Sequence, residues 1–165
     1  MMRLRKLENK DAPRMLEWMH DKSVVEKLCT NFNDKTIDDC IMFIEHSCEK
    51  DHIHLAIVDD DIYMGTVSLK NINKEAAEFA IAVHKDAMGK GYASWAMTQM
   101  LDKGFNDYKL KYIYWCVDCD NIRALNFYDK NGYLRVNAET IDISSHYSKE
   151  QISKYIWYCE SNKLR

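Results

Sequence analysis

The residues of the sequence that most clearly suggest chemistry form a short glycine-rich stretch, Met88-Gly89-Lys90-Gly91-Tyr92-Ala93. It follows Ala76–Val83, where side chains alternate as in a strand, and a helical period of apolar residues begins where it ends. The first backbone N–H groups of a helix have no partner inside the helix and lie at the positive end of its dipole. A strand, a glycine loop and a helix in this order therefore predict an anion site that suits pyrophosphate.

Two common phosphate loops fit this stretch less well. A Walker loop needs GxxxxGK followed by Ser or Thr, and that spacing is absent from the sequence. A dinucleotide fingerprint needs GxGxxG, and the chain offers GxGxxS from Gly89 to Ser94, with Asp118 or Asp120 near the distance of a ribose ligand. Such a unit usually opens a series of βα repeats, whereas here a predicted antiparallel hairpin precedes it and few residues follow it.

The loop is more similar to a third type of phosphate loop. It resembles the pyrophosphate loop of the GNAT N-acetyltransferase superfamily, whose pattern is Q/R-x-x-G-x-G/A. Gly91 and Ala93 match the two small positions of that pattern. Met88 stands where Gln or Arg is usual, which removes one side-chain contact but none of the backbone N–H donors.

A second motif carries the same resemblance. The residues from Asn121 to Tyr133 read NIRALNFYDKNGY and look like the family's later helix, N-x-x-A-x-x-x-Y-x-K-x-G-F/Y, with every marked position matched. Asn121, Ala124 and Tyr128 are spaced i, i+3 and i+7, so they would share one helical face. Residues 18–25 also look like the branch that includes ribosomal-protein N-terminal acetyltransferases and small-amine acetyltransferases.

The resemblance implies a fold and a reaction. The fold would be α/β (α+β), one GNAT-like domain over residues 1–165, with a mixed, mostly antiparallel twisted sheet that splays open after its fourth strand, Ala76–Val83, and helices on its flanks. The reaction would move an acetyl group from acetyl-CoA, the cosubstrate, to a primary amine that attacks directly. No nucleophilic Ser or Cys is then required.

The resemblance also implies which residues hold acetyl-CoA. The pantetheine arm would pair with backbone near Ile81 and Val83, and a backbone N–H near Val83 would polarise the thioester carbonyl as an oxyanion hole does. Asn121 would reach the cofactor from the later helix. The pyrophosphate would lie on the loop, whose cofactor-binding positions are Met88, Gly89, Lys90, Gly91, Tyr92 and Ala93.

Two proton transfers remain to be assigned to side chains. Tyr128 is the family's usual acid, and a phenol with an unperturbed pKa of about 10 holds its proton at neutral pH. Glu78 is the candidate base, acting directly or through water, and it lies on the same strand face as His84. The structural alternatives are that Tyr128 only packs its helix against the sheet, that Glu78 is a solvated strand residue and that His84 simply ends the strand.

The amine acceptor is not defined by the motifs. A small amine or amino sugar, a polyamine and a protein N-terminus all remain open. We expect the acceptor to contact the helices between Trp18 and Cys48 and the segment from Asn137 to Trp157, because acidic and aromatic residues there could hold a cation. The non-enzymatic alternative is a catalytically inactive acyl-CoA-binding or sensing module, which Met88 favours and the intact Asn121/Tyr128 motif opposes.

Further elements must position these groups. A hairpin is predicted over residues 53–58 and 62–69, a first strand over 3–7 and a short central strand over 112–117. Asp118 or Asp120 is expected to cap the helix that carries Tyr128. Weaker strands are predicted over 133–136 and 140–143, and a last strand over 155–159.

Composition limits the class of protein. The chain has 165 residues, 47% hydrophobic and 30% charged, with a net charge of −3, which is typical of a globular domain and gives no reason to expect a nucleic-acid partner. No apolar run is long enough to cross a membrane, and there is no export signal, so we expect a cytoplasmic monomer or homodimer with reduced thiols at the six cysteines. Cys116 and Cys119 have CxxC spacing but no second pair, which argues against a zinc site.

Overall fold

The computed structural model describes residues 1–28, 30–143 and 146–164, which form one open sheet with helices on both faces. The strand order is β1-β3-β4-β5-β6-β8-β7, with β2 paired to the free part of β3, and the β5–β6 pair is parallel while the others are antiparallel. The strands are β1 Met2–Lys6, β2 Cys48–Glu49, β3 His52–Asp59, β4 Ile62–Lys70, β5 Ala76–Val83, β6 Tyr112–Asp118, β7 Arg135–Val136 and β8 Tyr155–Ser161. The α-helices are α1 Ala12–Met19, α2 Lys22–Val25, α3 Ile37–Glu45, α4 Tyr92–Asn106, α5 Ile122–Lys130 and α6 Lys149–Lys154.

The hairpin of β3 and β4 confirms the strand prediction and shows why it turns where it does. Asp59 pairs with Ile62, so Asp60 and Asp61 form a two-residue loop. Both have positive φ angles, 46° and 66°, as a type I′ turn requires. Aspartate tolerates this left-handed conformation better than most residues do, because its short side chain can bond to nearby backbone.

Strand alternation divides the apolar side chains of the sheet between its two faces. On one face, α4 and α5 cover residues such as Ala77, Phe79 and Ile113, and this is the main core. On the other face, α1 to α3 cover the β1/β3/β4 half, and residues 136–143 and 146–152 cover the β6/β8 half. Between these two covers lies the second half of β5, where Ala80 and Ala82 are only half-buried.

The sheet opens between β5 and β6, as predicted. These strands pair only through Ala76–Tyr112, Ala77–Ile113 and Glu78–Tyr114. Beyond this point β5 continues along β4 while β6 continues along β8, so the two strands separate and leave a cleft. The strand before the cleft is the fifth rather than the fourth, because the two-residue strand β2 was not predicted.

The structure also differs from the sequence predictions at several local points. Asn121, not Asp118 or Asp120, caps α5 by accepting a hydrogen bond from the Ala124 N–H at 3.2 Å. Residues 140–143 are not a strand. The chain there leaves the 3₁₀ turn Ala138–Thr140, and Ile143 is buried in a cluster with Tyr114 and Trp157 of the sheet. Helix α6 was not predicted, and the first strand ends at Lys6 rather than Leu7.

Two observations concern the state of the cysteines and the apolar character of the helices. Cys40, Cys48, Cys116, Cys119 and Cys159 carry free thiols, and Cys29 lies outside the described residues. None of the helices in the described ranges combines the length and the apolar character that a bilayer crossing requires.

Candidate active site

The glycine loop joins the open end of β5 to the start of α4. A 3₁₀ turn over Lys85–Ala87 leads into it, and Gly89 and Gly91 then take positive φ angles of 73° and 84°, which glycine adopts at little cost. Gly91 is the N-cap of α4, so the first N–H groups of the helix face out of the loop. A Cβ atom placed at Gly89 or Gly91 would meet nothing within 4 Å, so glycine is required here by the positive φ and not by crowding.

The side chains of the loop have different surroundings. Lys90 is exposed, and Met88 is half-buried against the cluster formed by α1 and α3. The Tyr92 hydroxyl donates to Asp59 Oδ2 at 2.7 Å, which ties the start of α4 to the end of β3 and raises the pKa of Tyr92. The exposed Arg123 of α5 lies with Nη1 3.3 Å from Met88 Sδ, so a guanidinium stands beside the position where the family usually has Gln or Arg.

The open edge of β5 presents backbone groups to the cleft. The His84 N–H donates to Met64 O in β4 at 2.8 Å. Since successive N–H groups along a strand point to opposite edges, those of Val83 and Ile81 point away from β4. On that side β6 has already separated, so an extended ligand could add to this edge as a strand would.

Tyr128 lies on α5, under the cleft and within an aromatic cluster. Its ring centroid is 5.5 Å from that of Trp115 and 5.2 Å from that of Tyr158. The side chain is buried, and burial raises the pKa of Tyr128 well above its usual range, so the hydroxyl keeps its proton at neutral pH. Trp115 is the first residue of β6 beyond the last β5–β6 pair, and its Nε1 is buried without a partner in the described part of the chain, which leaves a donor for a ligand here.

Glu78 is not a solvated strand residue. Its side chain is 4% exposed at the base of the cleft, where Glu78 forms the last pair of β5 with β6. The carboxylate accepts a short hydrogen bond from the Tyr147 hydroxyl and one from Asn71 Nδ2 at 3.1 Å, and Lys70 Nζ lies 3.8 Å away. These donors fix the carboxylate in one orientation.

Glu78 and Tyr128 lie at the same end of the cleft but on opposite faces of the sheet. Tyr128 packs with the α4/α5 side, whereas Glu78 shares its face with Tyr114 and the segment that carries Tyr147. The gap between β5 and β6 therefore has a carboxylate on one side of the sheet and a phenol on the other.

His84, which the sequence predicted on the same strand face as Glu78, lies far from it. His84 is six residues further along, roughly 20 Å at the rise of a strand, so the two do not form one group. His84 is 1% exposed, and its ring bonds to Glu17 and to the Asp86 N–H. It does more than end the strand, although its ring is not free to act as a base.

Several residues of the expected acceptor region have structural duties. Trp18 is buried and donates through Nε1 to the Tyr63 hydroxyl at 2.9 Å, and Asp39 accepts from the Thr36 N–H at 2.8 Å in a helix-capping box. Tyr147 turns inward to Glu78, a contact that sequence reasoning missed because 69 positions separate the two residues. The exposed Glu17 and the half-buried Asp21 line a surface pocket with His20, Lys22 and Lys85.

Sheet, cleft and loop together define an acyl-CoA-dependent acetyltransferase of the GNAT type. Residues 2–134 match the family model described as "Acetyltransferase (GNAT) domain", and the chain belongs to this family. It is accordingly an N-acetyltransferase, with acetyl-CoA as cosubstrate and an amine as acceptor.

Known proteins similar to this chain are consistent with that class. Spermidine N(1)-acetyltransferase of Escherichia coli (strain K12) is 26% identical over 134 residues, which cover 80% of this chain and 72% of that protein. The crystal structure of spermidine N-acetyltransferase from Vibrio cholerae in complex with CoA and spermine has a TM-score of 0.79 at 19% identity, over 98% of this chain and 96% of that one. A GNAT acetyltransferase from Bacillus anthracis has a TM-score of 0.75 at 21% identity, over 98% and 95% of the two chains. At such identities the structures establish the shared fold.

Proposed function

We propose that the acceptor is a polyamine, so that the chain acts as a polyamine N-acetyltransferase. The observation that carries this choice is the sequence relative named spermidine N(1)-acetyltransferase, which aligns with 80% of the chain. The similar structure with bound CoA and spermine agrees with it. The half-buried Ala80 and Ala82 leave a shallow path along β5 for an extended amine.

The cofactor positions follow from the same geometry. The pyrophosphate would rest on the N–H groups of residues 89–93, with Lys90 and Arg123 as neighbouring cations. The pantetheine arm would add to the free edge at Ile81 and Val83. The Asn121 side chain uses its oxygen to cap α5, so its NH₂ group is the part that would donate to the cofactor.

The acetyl transfer itself would proceed by direct attack. The neutral amine nitrogen forms a bond to the thioester carbon, and its surplus proton passes to Glu78, directly or through water. The carbon–sulfur bond then breaks, and Tyr128 gives its proton to the departing thiolate. Burial in this cleft disfavours both the phenolate form of Tyr128 and the thiolate that leaves. It therefore does not by itself work against the transfer of the proton from one to the other. The backbone N–H of Val83 would stabilise the oxyanion.

A thiol-release assay with acetyl-CoA tests this function. The acceptors would be spermidine, spermine, a monoamine, an aminoglycoside and a peptide with a free N-terminus. We expect the highest kcat/KM for a polyamine, and mass spectrometry should find one added acetyl group on it. Preference for the aminoglycoside or the peptide would overturn the polyamine assignment, and no thiol release with any amine would favour the inactive acyl-CoA-binding alternative. A single domain over residues 1–165, a cytoplasmic location and the choice between monomer and homodimer stay predictions.

A further inference from the structure

We infer that His84 is a positioning residue that holds the glycine loop in the form that accepts pyrophosphate. The inference rests on the proposed placement of the pyrophosphate on that loop, but not on the identity of the acceptor. His84 is the first residue after β5 and directly precedes the Lys85–Ala87 turn that leads into the loop. It is 1% exposed, so its ring contacts are fixed by the surrounding protein.

The hydrogen bonds of the ring define its tautomer. Nδ1 lies 3.1 Å from the Asp86 N–H and 3.4 Å from Arg14 Nη2, and both of these groups can only donate. Nδ1 is therefore the acceptor and carries no proton. The proton lies on Nε2, which donates to Glu17 Oε2 at 2.6 Å.

Each of these bonds restrains a different element. The Nδ1 bond spans from residue 84 to the N–H of residue 86, the local pattern by which a side chain caps a turn, and the His84 carbonyl accepts from Ala87 N at 2.9 Å in the same turn. This turn sets the direction in which the chain enters Gly89 and Gly91. The Nε2 bond ties the ring to α1 through Glu17, which is a second anchor outside the loop.

Substitution can separate the two nitrogen atoms. Asparagine places an acceptor oxygen near the position of Nδ1 and readily bonds to the N–H two residues on, but it cannot reach Glu17. Glutamine extends toward the position of Nε2, where its NH₂ can donate to Glu17, but leaves the Asp86 N–H without its acceptor. If the turn is what matters, His84→Asn keeps the loop in place and His84→Gln does not.

The experiment is calorimetric titration of the full chain and its variants with CoA, together with steady-state kinetics. We expect His84→Gln and His84→Ala to raise the Kd for CoA about tenfold, in line with losing one hydrogen bond to a buried group, while His84→Asn stays within about threefold. The KM for acetyl-CoA should follow the Kd, and kcat at saturating acetyl-CoA should change less than about threefold. Glu17→Gln keeps an acceptor for Nε2–H and should bind CoA like the wild type.

His54→Asn and His54→Gln serve as matched controls. This histidine is also partly buried and bonds to Ser68 Oγ at 2.6 Å, but it lies in β3, away from the loop, so neither change should alter CoA affinity. Amide hydrogen exchange provides a readout without ligand: the Asp86 N–H should be protected in the wild type and in His84→Asn, and should exchange faster in His84→Gln.

The outcomes separate this inference from the proposed function. Rescue by Gln instead of Asn, or equal affinity in all His84 variants while the wild type binds CoA, would overturn the role of His84. A wild type that does not bind CoA would overturn both this role and the cofactor site. A wrong polyamine assignment would leave the CoA titrations and their ranking unchanged.

Discussion

At the scale of single residues, the protein buries a phenol and a carboxylate beside the cleft and surrounds them with different partners. Tyr128 is surrounded by the rings of Trp115, Tyr133 and Tyr158, and burial raises its pKa, so it remains a proton donor across the neutral range. Glu78 is buried as well, but it is oriented by two hydrogen-bond donors and a nearby lysine. Both side chains are buried, but Tyr128 is surrounded by aromatic rings, whereas Glu78 is contacted by polar groups.

Tyr128→Phe should lower kcat by about 10²-fold or more while the Kd for CoA changes little, because the ring packing stays and only the acidic proton is lost. Single-turnover thiol release and calorimetry measure the two quantities. Tyr133→Phe is a matched control in the same cluster and should leave kcat near the wild-type value. An unchanged rate in Tyr128→Phe would remove Tyr128 from the mechanism.

Glu78→Gln should lower kcat/KM by about 10²-fold at neutral pH, since an amide cannot take up the amine's proton. Tyr147→Phe should lower the rate by a smaller factor, because the carboxylate remains and loses only one orienting bond. Steady-state kinetics measure both, and a wild-type rate in Glu78→Gln would show that another group accepts the proton.

At the scale of elements, the cleft depends on close contact between the backbones of β4 and β5. Gly65 pairs with Val83, and a Cβ atom at Gly65 would lie 2.6 Å from Ala82 O and 3.0 Å from Val83 Cα. Backbone atoms cannot move aside as a flexible side chain can. The free edge at Ile81 and Val83 is thus positioned by a residue on the neighbouring strand that has no side chain.

Gly65→Ala should destabilise the fold by roughly 2 kcal/mol and weaken CoA binding, because β5 must shift toward the cleft. Urea unfolding and calorimetry measure these effects. In Gly104→Ala, a control within α4, the new Cβ meets only side-chain ends, Ile113 Cδ1 at 2.5 Å, Leu69 Cδ1 at 3.2 Å and Leu110 Cδ1 at 3.4 Å. Because these ends can shift and alanine favours the helix, we expect a smaller loss of stability than in Gly65→Ala and normal CoA affinity. Equal effects of the two substitutions would argue against a special role of Gly65.

The same scale shows what could be predicted from the sequence. The glycine loop, β5 and the core face of α4 follow from local patterns, and the structure has them where predicted. The cap of α5 was misassigned because three residues able to cap a helix, Asp118, Asp120 and Asn121, occur within four positions. The contact of Tyr147 with Glu78 and the bond of His84 to Glu17 join distant positions, and no local pattern encodes them.

At the scale of the whole molecule, one partly buried and one exposed titratable group make stability depend on pH. Burial, assisted by His52 and Lys70, lowers the pKa of His54 from its ordinary 6.5 to about 4. Hydrogen bonds from Lys10 and Arg5 lower the pKa of the exposed Asp61 from 3.8 to about 2. Both groups take up protons more readily in the unfolded chain, so both reduce stability as the pH falls, but over different ranges.

The two ranges follow from the pKa values. Above pH 6.5, His54 is neutral in both states and has no effect; between 6.5 and 4 only the unfolded chain protonates it, so stability falls, and below 4 its effect is constant. Asp61 contributes stability that is complete above 3.8 and is lost as the pH falls through about 2. Urea unfolding of the wild type should therefore show a decline that starts near pH 6.5 and continues below 4, first through His54 and then through Asp61. His54→Gln, which cannot protonate, should be flat from pH 6.5 to 4.5 and keep the later loss, whereas Asp61→Asn should keep the first decline and weaken the second. A wild type with constant stability from pH 6.5 to 4.5 would show that the His54 ring accepts a proton inside the folded protein.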